Sequence, residues 1–343
     1  MVRAQGEDTV KYSPKIIGIP ILFYGPETRL GFGAAGFFSF KTNAKDTTLR
    51  PSQINIGVAY TLEKQVLSYA SFDLWLLQNK IVVNGEVGYY RYFYNFYGLG
   101  NSPREVEQYS VNYPRIRLKG YYELFPSFYA GLKYTFDQFN IAKRAEGGKL
   151  IQNTITGRQG GAISGLGVGI KYDTRNHNFY PTKGYSIRVS YERFRKWVGS
   201  DFTYNLTSFN AIRYFDLSND KVIAANVYGR FIQGDAPFFH LSKIGGNSRM
   251  RGYYNGYWRD KQKLGWQAEY RMPLFWRIGV VAFAGNALVA EQIDRFQWKN
   301  IRTTAGMGLR FKIDRERNVN ARIDFGVSSD LTTGFYFTIG EAF

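Results

Sequence analysis

Cysteine is absent from the 343 residues, which excludes disulfide staples and thiolate chemistry. Histidine is nearly absent: His177 and His240 are the only two, and in the topology read below they fall at opposite ends of the molecule, so no metal site or catalytic dyad can use both. No apolar run approaches the roughly 20 residues of a spanning helix, and mean hydropathy is −0.33; transmembrane helices are excluded. Acidic residues are scarce beside basic ones, 27 against 45, for a net charge of +18. In a soluble protein that excess would point to nucleic acid. Here the basic residues alternate with apolar ones instead of clustering, so nucleic acid is not the expected partner. Outer-membrane lipids, lipopolysaccharide phosphates or an acidic polypeptide suit such a field. No nucleophile elbow, phosphate-binding glycine loop or metal-ligand spacing occurs. No enzyme, catalytic residue, metal or cofactor is therefore expected.

What the chain has in excess is aromatic residues (28 Phe and 27 Tyr) and glycine (37), a composition that favours an all-β protein. Period-2 alternation recurs along it. Ala305, Met307, Leu309, Phe311 and Ile313 alternate with Gly306, Gly308, Arg310 and Lys312; Val319, Ala321, Ile323, Phe325 and Val327 alternate with Asn320, Arg322, Asp324 and Gly326. A soluble sandwich also alternates, but its polar face needs few glycines. Here that face is glycine plus charge, as in Gly165, Gly167, Gly169, Lys171 and Asp173. Small residues relieve crowding inside a closed sheet, and charges line a wet lumen. The reading is a transmembrane antiparallel β-barrel.

The pattern gives about sixteen strands, over 16–24, 28–42, 52–63, 65–78, 80–94, 112–123, 127–142, 160–174, 183–196, 203–216, 220–233, 262–272, 277–287, 302–313, 318–327 and 334–343. With the start in the periplasm, the long connections 95–111, 143–159, 234–261 and 288–301 lie outside and the tight turns inside, as such barrels require. Tyr89, Tyr90, Tyr92, Tyr94 and Tyr97 crowd the outer end of the fifth strand, where headgroup-level aromatics are expected. The barrel covers 16–343, and 1–15 is a short periplasmic segment. Within it Val2-Arg3-Ala4 before Gln5 fits the small-residue rule for signal-peptide cleavage, so 1–4 reads either as a remnant or as a chance match.

The connection Gly245–Lys263 is long, glycine-rich and basic, with an Arg-Gly-Tyr core. A loop that only connects strands is usually short. Three segments together resemble the BamA/TamA superfamily of outer-membrane barrels, the bacterial surface antigen family. Tyr172-Asp173-Thr174-Arg175 with Tyr180-Pro181-Thr182-Lys183-Gly184 is similar to its periplasmic turn. Arg249, Met250, Arg251, Gly252 and Tyr253 are similar to the Val-Arg-Gly-Phe/Tyr motif of its sixth extracellular loop, with Met250 in the Val place. Gly265–Pro273 and Ile278–Val289 are similar to the two strands after it, and the ending in Phe343 looks like the C-terminal recognition signal of such barrels. Family members usually carry POTRA domains before the barrel. This chain has about fifteen residues there, so it reads either as a bare barrel or as the barrel part of a longer chain.

The resemblance implies that loop 234–261 folds into the lumen and that Arg251 meets acidic and aromatic residues on the inner wall. Glu269 matches the family's acidic position and Phe283 its aromatic one. Gly285 stands where the family has Asp, and Asp324 is the inward acid available in its place. The other inward carboxylates (Glu63, Asp173, Glu192) face inward bases (Arg29, Lys41, Lys171, Arg188, Arg271, Arg310, Lys312, Arg322), which points to lumenal salt bridges. A seam between first and last strands that opens sideways is the family's lateral-gate idea. Gly18 and Pro20 weaken the first strand, and Gly340 and Phe343 belong to the last. Three functions follow as expectations for a protein of the Gram-negative cell outer membrane. One is an assembly or translocation barrel acting at that seam on client outer-membrane proteins or lipids, with or without a periplasmic partner. The second is the anchor or secretion pore of a larger polypeptide. The third is a structural barrel or small-solute channel.

Overall fold

The period-2 pattern becomes a wall with two faces, and the wall closes on itself. The computed structural model describes residues 14–43, 49–101, 106–152, 155–177, 179–218, 220–315 and 318–343. Segment 1–15, with the cleavage remnant read at 1–4, lies almost wholly outside them. The strands are β1 (Lys15–Gly25), β2 (Arg29–Phe40), β3 (Ser52–Thr61), β4 (Val66–Leu76), β5 (Ile81–Phe96), β6 (Glu107–Phe125), β7 (Phe128–Arg144), β8 (Gly160–Asp173), β9 (Gly184–Phe194), β10 (Tyr204–Asp216), β11 (Val222–Gly234), β12 (Ser242–Ile244), β13 (Trp258–Asp260), β14 (Gln262–Phe275), β15 (Ile278–Ala290), β16 (Arg302–Asp314), β17 (Val319–Ser328) and β18 (Thr333–Ile339). All but β12 and β13 form one closed antiparallel barrel of sixteen strands in chain order, with β1 against β18. Closure removes the free edges that could not be satisfied in lipid.

The two faces separate as the alternation requires. Ile56, Leu132 and Met307 point outward and are 61%, 70% and 69% exposed, while Lys171, Glu192 and Arg271 point inward and are buried. An apolar exterior over a charged interior suits a bilayer and would be a liability in water. Inner-face glycines make room for rings from the next strand. Gly306 lies opposite Phe283, and a Cβ there would meet the Phe283 ring at 2.4 Å.

Three sequence expectations need correction. The last strand ends at Ile339 instead of 343, because Gly340 takes φ +88° and turns the chain out of the sheet. Glu341, beyond that turn, points inward to Arg310 and Asn320. Tyr90, Tyr92 and Tyr94 pack inside the lumen cluster, not at headgroup level, because their parity on β5 is the inward one; Tyr89 faces out. Arg29 and Glu63 are an exposed pair at the rim, 3.7 Å apart, since both stand where strands give way to turns.

The wall is uneven. β5, β6 and β7 run for 16, 19 and 17 residues, whereas β17 and β18 run for 10 and 7. The low side is where the barrel closes.

Candidate functional site: the lumenal loop and the seam

The long connection 235–261 enters the barrel from the end of the long loops and docks on both sides of the lumen. Its first arm is apolar. After Pro237 a short turn presents Phe238 and Phe239, both buried. Phe239 stacks on Phe139 at 4.2 Å, Phe139 on Tyr113 at 4.5 Å and Tyr113 on Tyr90 at 5.1 Å, a ladder of rings across β7, β6 and β5. Each such pair adds about 0.5–1.5 kcal/mol to the burial of the rings. Next to it, His240 Nε2 faces Arg230 Nη2 at 3.1 Å, and Nδ1 lies 2.6 Å from the Tyr204 hydroxyl. Because a guanidinium only donates, Nε2 must accept, so Nδ1 carries the proton and the ring is neutral. Burial, with Arg230, Arg117, Lys243 and Arg115 around it, holds the imidazole well below its ordinary 6.5.

The loop then forms the hairpin β12–β13, which the sequence did not suggest, and its tip runs along the opposite wall. Backbone meets backbone there. A Cβ on Gly252, whose φ is +117°, would lie 2.9 Å from the Val327 carbonyl carbon, and a Cβ on Gly326 would lie 2.4 Å from the Arg251 oxygen. Only glycine at both places allows this approach. It delivers Arg251, 1% exposed, into a buried ionic network. Its Nη1 donates to Asp324 Oδ2 at 2.7 Å, its Nη2 donates to Glu269, and the guanidinium lies 3.5 Å over the Phe283 ring, the one that rests on Gly306. The other Glu269 oxygen accepts from Arg271, and Asp324 also accepts from Arg310 and Arg322. Four guanidiniums and the carboxylates Glu269, Asp324 and Glu341 thus join the loop tip to β14, β16, β17 and the chain end. Satisfied, such a network need not stabilise more than an apolar core. Losing one member costs about 3–5 kcal/mol, because it strands its partners.

Around Arg251, Met250 is buried with its sulfur 3.9 Å from the Thr304 hydroxyl; Arg249 bonds Asn210 and lies over the Tyr228 ring at 4.2 Å; Tyr253 donates to Asp330 at 2.7 Å. The structure therefore brings Arg251, Glu269, Phe283 and Asp324 into one cluster.

At the closure, β1 pairs with β2 along all eleven of its residues, Gly18 opposite Gly36 and Pro20 opposite Ala34. Against β18 it has, among the described residues, one register pair, Tyr24 with Phe337, supported by an edge-on contact of Tyr24 with Phe335 at 5.6 Å. Gly340 and Phe343 do not extend this seam. Gly340 bonds Asn320 on β17, and the Phe343 carbonyl accepts from Arg271 at 2.8 Å inside the barrel. The loop tip spans the gap instead. Asn255 N–H donates to Glu27 in the β1–β2 turn at 2.7 Å, Gly252 N–H donates to the Tyr336 hydroxyl on β18 at 3.1 Å, and Thr332 donates to the Gly252 carbonyl at 2.8 Å. Sequence reasoning missed Glu27, Tyr336, His240 and the Phe238-Phe239 pair as loop contacts. Of these only the two adjacent phenylalanines in an otherwise exposed connection carried a local signal.

The profile of the Omp85 superfamily domain matches residues 20–343. No curated protein matches the chain significantly. Among solved structures the barrel is similar to BamA from Haemophilus ducreyi lacking POTRA domains 1-3, with TM-score 0.60 and 16% identity over 95% of this chain and 70% of that one. It is also similar to CdiB from Escherichia coli (0.60, 12%, covering 95% and 62%) and CdiB from Acinetobacter baumannii (0.57, 12%, covering 95% and 59%). This chain thus spans about three-fifths of the CdiB chains. At these identities the likeness shows the shared barrel.

Proposed function

We propose, since the chain belongs to the Omp85 superfamily, that it is an assembly or translocation barrel of a Gram-negative outer membrane, acting on client outer-membrane proteins or lipids at the seam between β1 and β18. The observation that carries this reading is the single register pair at that seam, set against the eleven-residue ladder on the other side of β1. An edge so weakly paired exposes backbone donors and acceptors that can template an incoming strand. The Arg251 network and the loop-tip bonds to Glu27 and Tyr336 act as the lock on that edge. A lumen whose outer half is filled by Phe238, Phe239 and the β12–β13 hairpin weighs against a small-solute channel. The apolar exterior and exposed rim residues such as Trp197 and Trp276 suit contact with outer-membrane lipids, lipopolysaccharide included.

The test is a lock across the seam. Cα atoms paired directly across an antiparallel ladder lie about 4.5–5.5 Å apart, within disulfide reach, and the chain has no native cysteine to interfere. In the double substitution Tyr24→Cys with Phe337→Cys, oxidation should slow insertion of an unfolded client barrel into liposomes to the rate of empty bilayers, and reduction should restore it. Full activity in the oxidised barrel would remove the seam from the mechanism.

A further inference from the structure

Beneath the loop the lumen keeps a chamber of about 940 Å³. Eight cationic side chains line it, against three carboxylates. The carboxylates are already engaged: Asp137 by Arg115 and Arg117, Glu341 by Arg310, and Glu27 by the Asn255 N–H. Arg175 is held by Asp173. Five cations remain, Arg188, Arg230, Lys243, Arg249 and Lys263, and among the described residues none has a carboxylate partner. Their hydrogen bonds go to neutral groups. Arg230 donates to the His240 carbonyl at 2.8 Å, Lys263 to the Lys243 carbonyl at 2.8 Å, and Arg249 to the Asn210 amide oxygen.

The sheet register makes this arrangement costly. Arg230 stands directly opposite Lys263 across β11 and β14, and Arg188 directly opposite Lys171 across β8 and β9. Like charges facing each other across strands destabilise a sheet, and a lumen screens them less than open water does. Lys171 is paired with Asp173 at 3.3 Å; Arg188 and Arg230 feel Asp173 and Glu192 only from beyond ion-pair distance, and Lys263 has basic residues alone acting on it. Arg249, carried in by the loop, completes the group, within electrostatic reach of both Arg188 and Lys263. Neutral residues at these places would be more stable, so the cations are best explained by something that neutralises them.

We propose that this chamber binds an anion bearing two or more phosphate groups, held by Arg188, Arg230, Arg249 and Lys263. Three of the four are arginines, whose forked donors match phosphate oxygens in pairs. Several uncompensated charges in one cavity call for a multivalent ligand, and the volume exceeds what a single phosphate fills. Phe179 and Pro181, in the connection between β8 and β9, line the chamber at the end of the short turns, and the anion enters there. The site does not depend on opening of the β1–β18 seam.

Titration calorimetry of the purified barrel in neutral detergent, with inorganic tripolyphosphate as probe, tests this. One saturable site is expected, weakened by added salt and weakened roughly tenfold or more in the double variant Arg188→Gln with Lys263→Gln. Absence of saturable binding, or equal affinity in the double variant, overturns the proposal. Without ligand the variant should melt no lower than the parent, because like-charge pairs have been relieved; a clearly lower midpoint would make these cations structural and overturn it as well. Micelles containing a diphosphorylated lipid distinguish the source. Competition with tripolyphosphate identifies a lipid headgroup as the ligand, and its absence identifies a soluble oligophosphate.

Discussion

The tall flank of β5–β7 and the seam of β17, β18 and β1 are built from the same alternating pattern, yet they are held in different ways. At about 3.4 Å per residue, the 19 residues of β6 extend about 65 Å and the 7 of β18 about 24 Å. A tilted strand needs roughly 9–11 residues to cross a bilayer, so β18 falls short and β6 rises well above it. The flank is paired nearly end to end on both sides of β6 and is self-sufficient. The seam, with one register pair, borrows its hold from the long loop. The loop's contacts follow this difference. Against the flank it lays Phe238 and Phe239, whose packing is strong but tolerant of small shifts. Against the seam side it sets directional bonds, Arg251 to Glu269 and Asp324, and Gly252 to Tyr336. Directional bonds fix a position, and the position they fix is that of the edge strands.

The most severe break in this comparison should be Arg251→Ala. Removing the guanidinium leaves Glu269 and Asp324 buried with one partner fewer and should cost about 3–5 kcal/mol, read as a lower thermal midpoint together with protease cleavage in 245–257. Arg251→Lys should recover only part, since a point charge cannot serve two carboxylates and an aromatic face together. An unchanged midpoint would mean that the seam does not depend on the loop tip. Phe239→Ala should cost about 3 kcal/mol, but on the flank alone: cleavage within 235–244 should rise while the folded barrel keeps its compact migration on unheated gels. Loss of that migration would show that the flank also leans on the loop.

The smallest effect is graded with pH. His240 is buried neutral, with an affinity for protons well below that of a free imidazole, so the undocked loop binds the extra proton. Docking is therefore at full strength above about pH 6.5 and weakens as pH falls below it, by up to about 1.4 kcal/mol per unit. Protease sensitivity of the loop should rise on acidification, and His240→Gln should flatten the profile; an equal profile in the variant would place the titration elsewhere.

Each of the sixteen strands was legible, within a few residues for most, because an outer face in lipid and an inner face in a crowded lumen impose opposite demands on successive residues, and that demand is written locally. β6 began five residues earlier than read, since above the membrane the outer face no longer needs to be apolar and the alternation fades. Arg251, Glu269, Phe283 and Asp324 could be named from the sequence because a motif and strand parity put each on an inward position. Parity also gave Arg310 and Arg322, although not their shared bond to Asp324. Tyr90, Tyr92 and Tyr94 on β5 were misplaced where aromatic count was weighed above parity.

By itself, then, the sequence determined the closed barrel, its strand order, the facing of most residues within the strands and, through the resemblance, the loop that enters it. The tertiary structure alone decided how that loop divides between an aromatic wall and an ionic one, that Gly340 turns Glu341 and Phe343 inward away from the seam, and that β1 and β18 meet at a single pair. The physical reason is one of range. Facing is settled by alternation between neighbours in the chain, whereas the seam joins residues more than three hundred positions apart, and its strength depends on where a seven-residue strand happens to end.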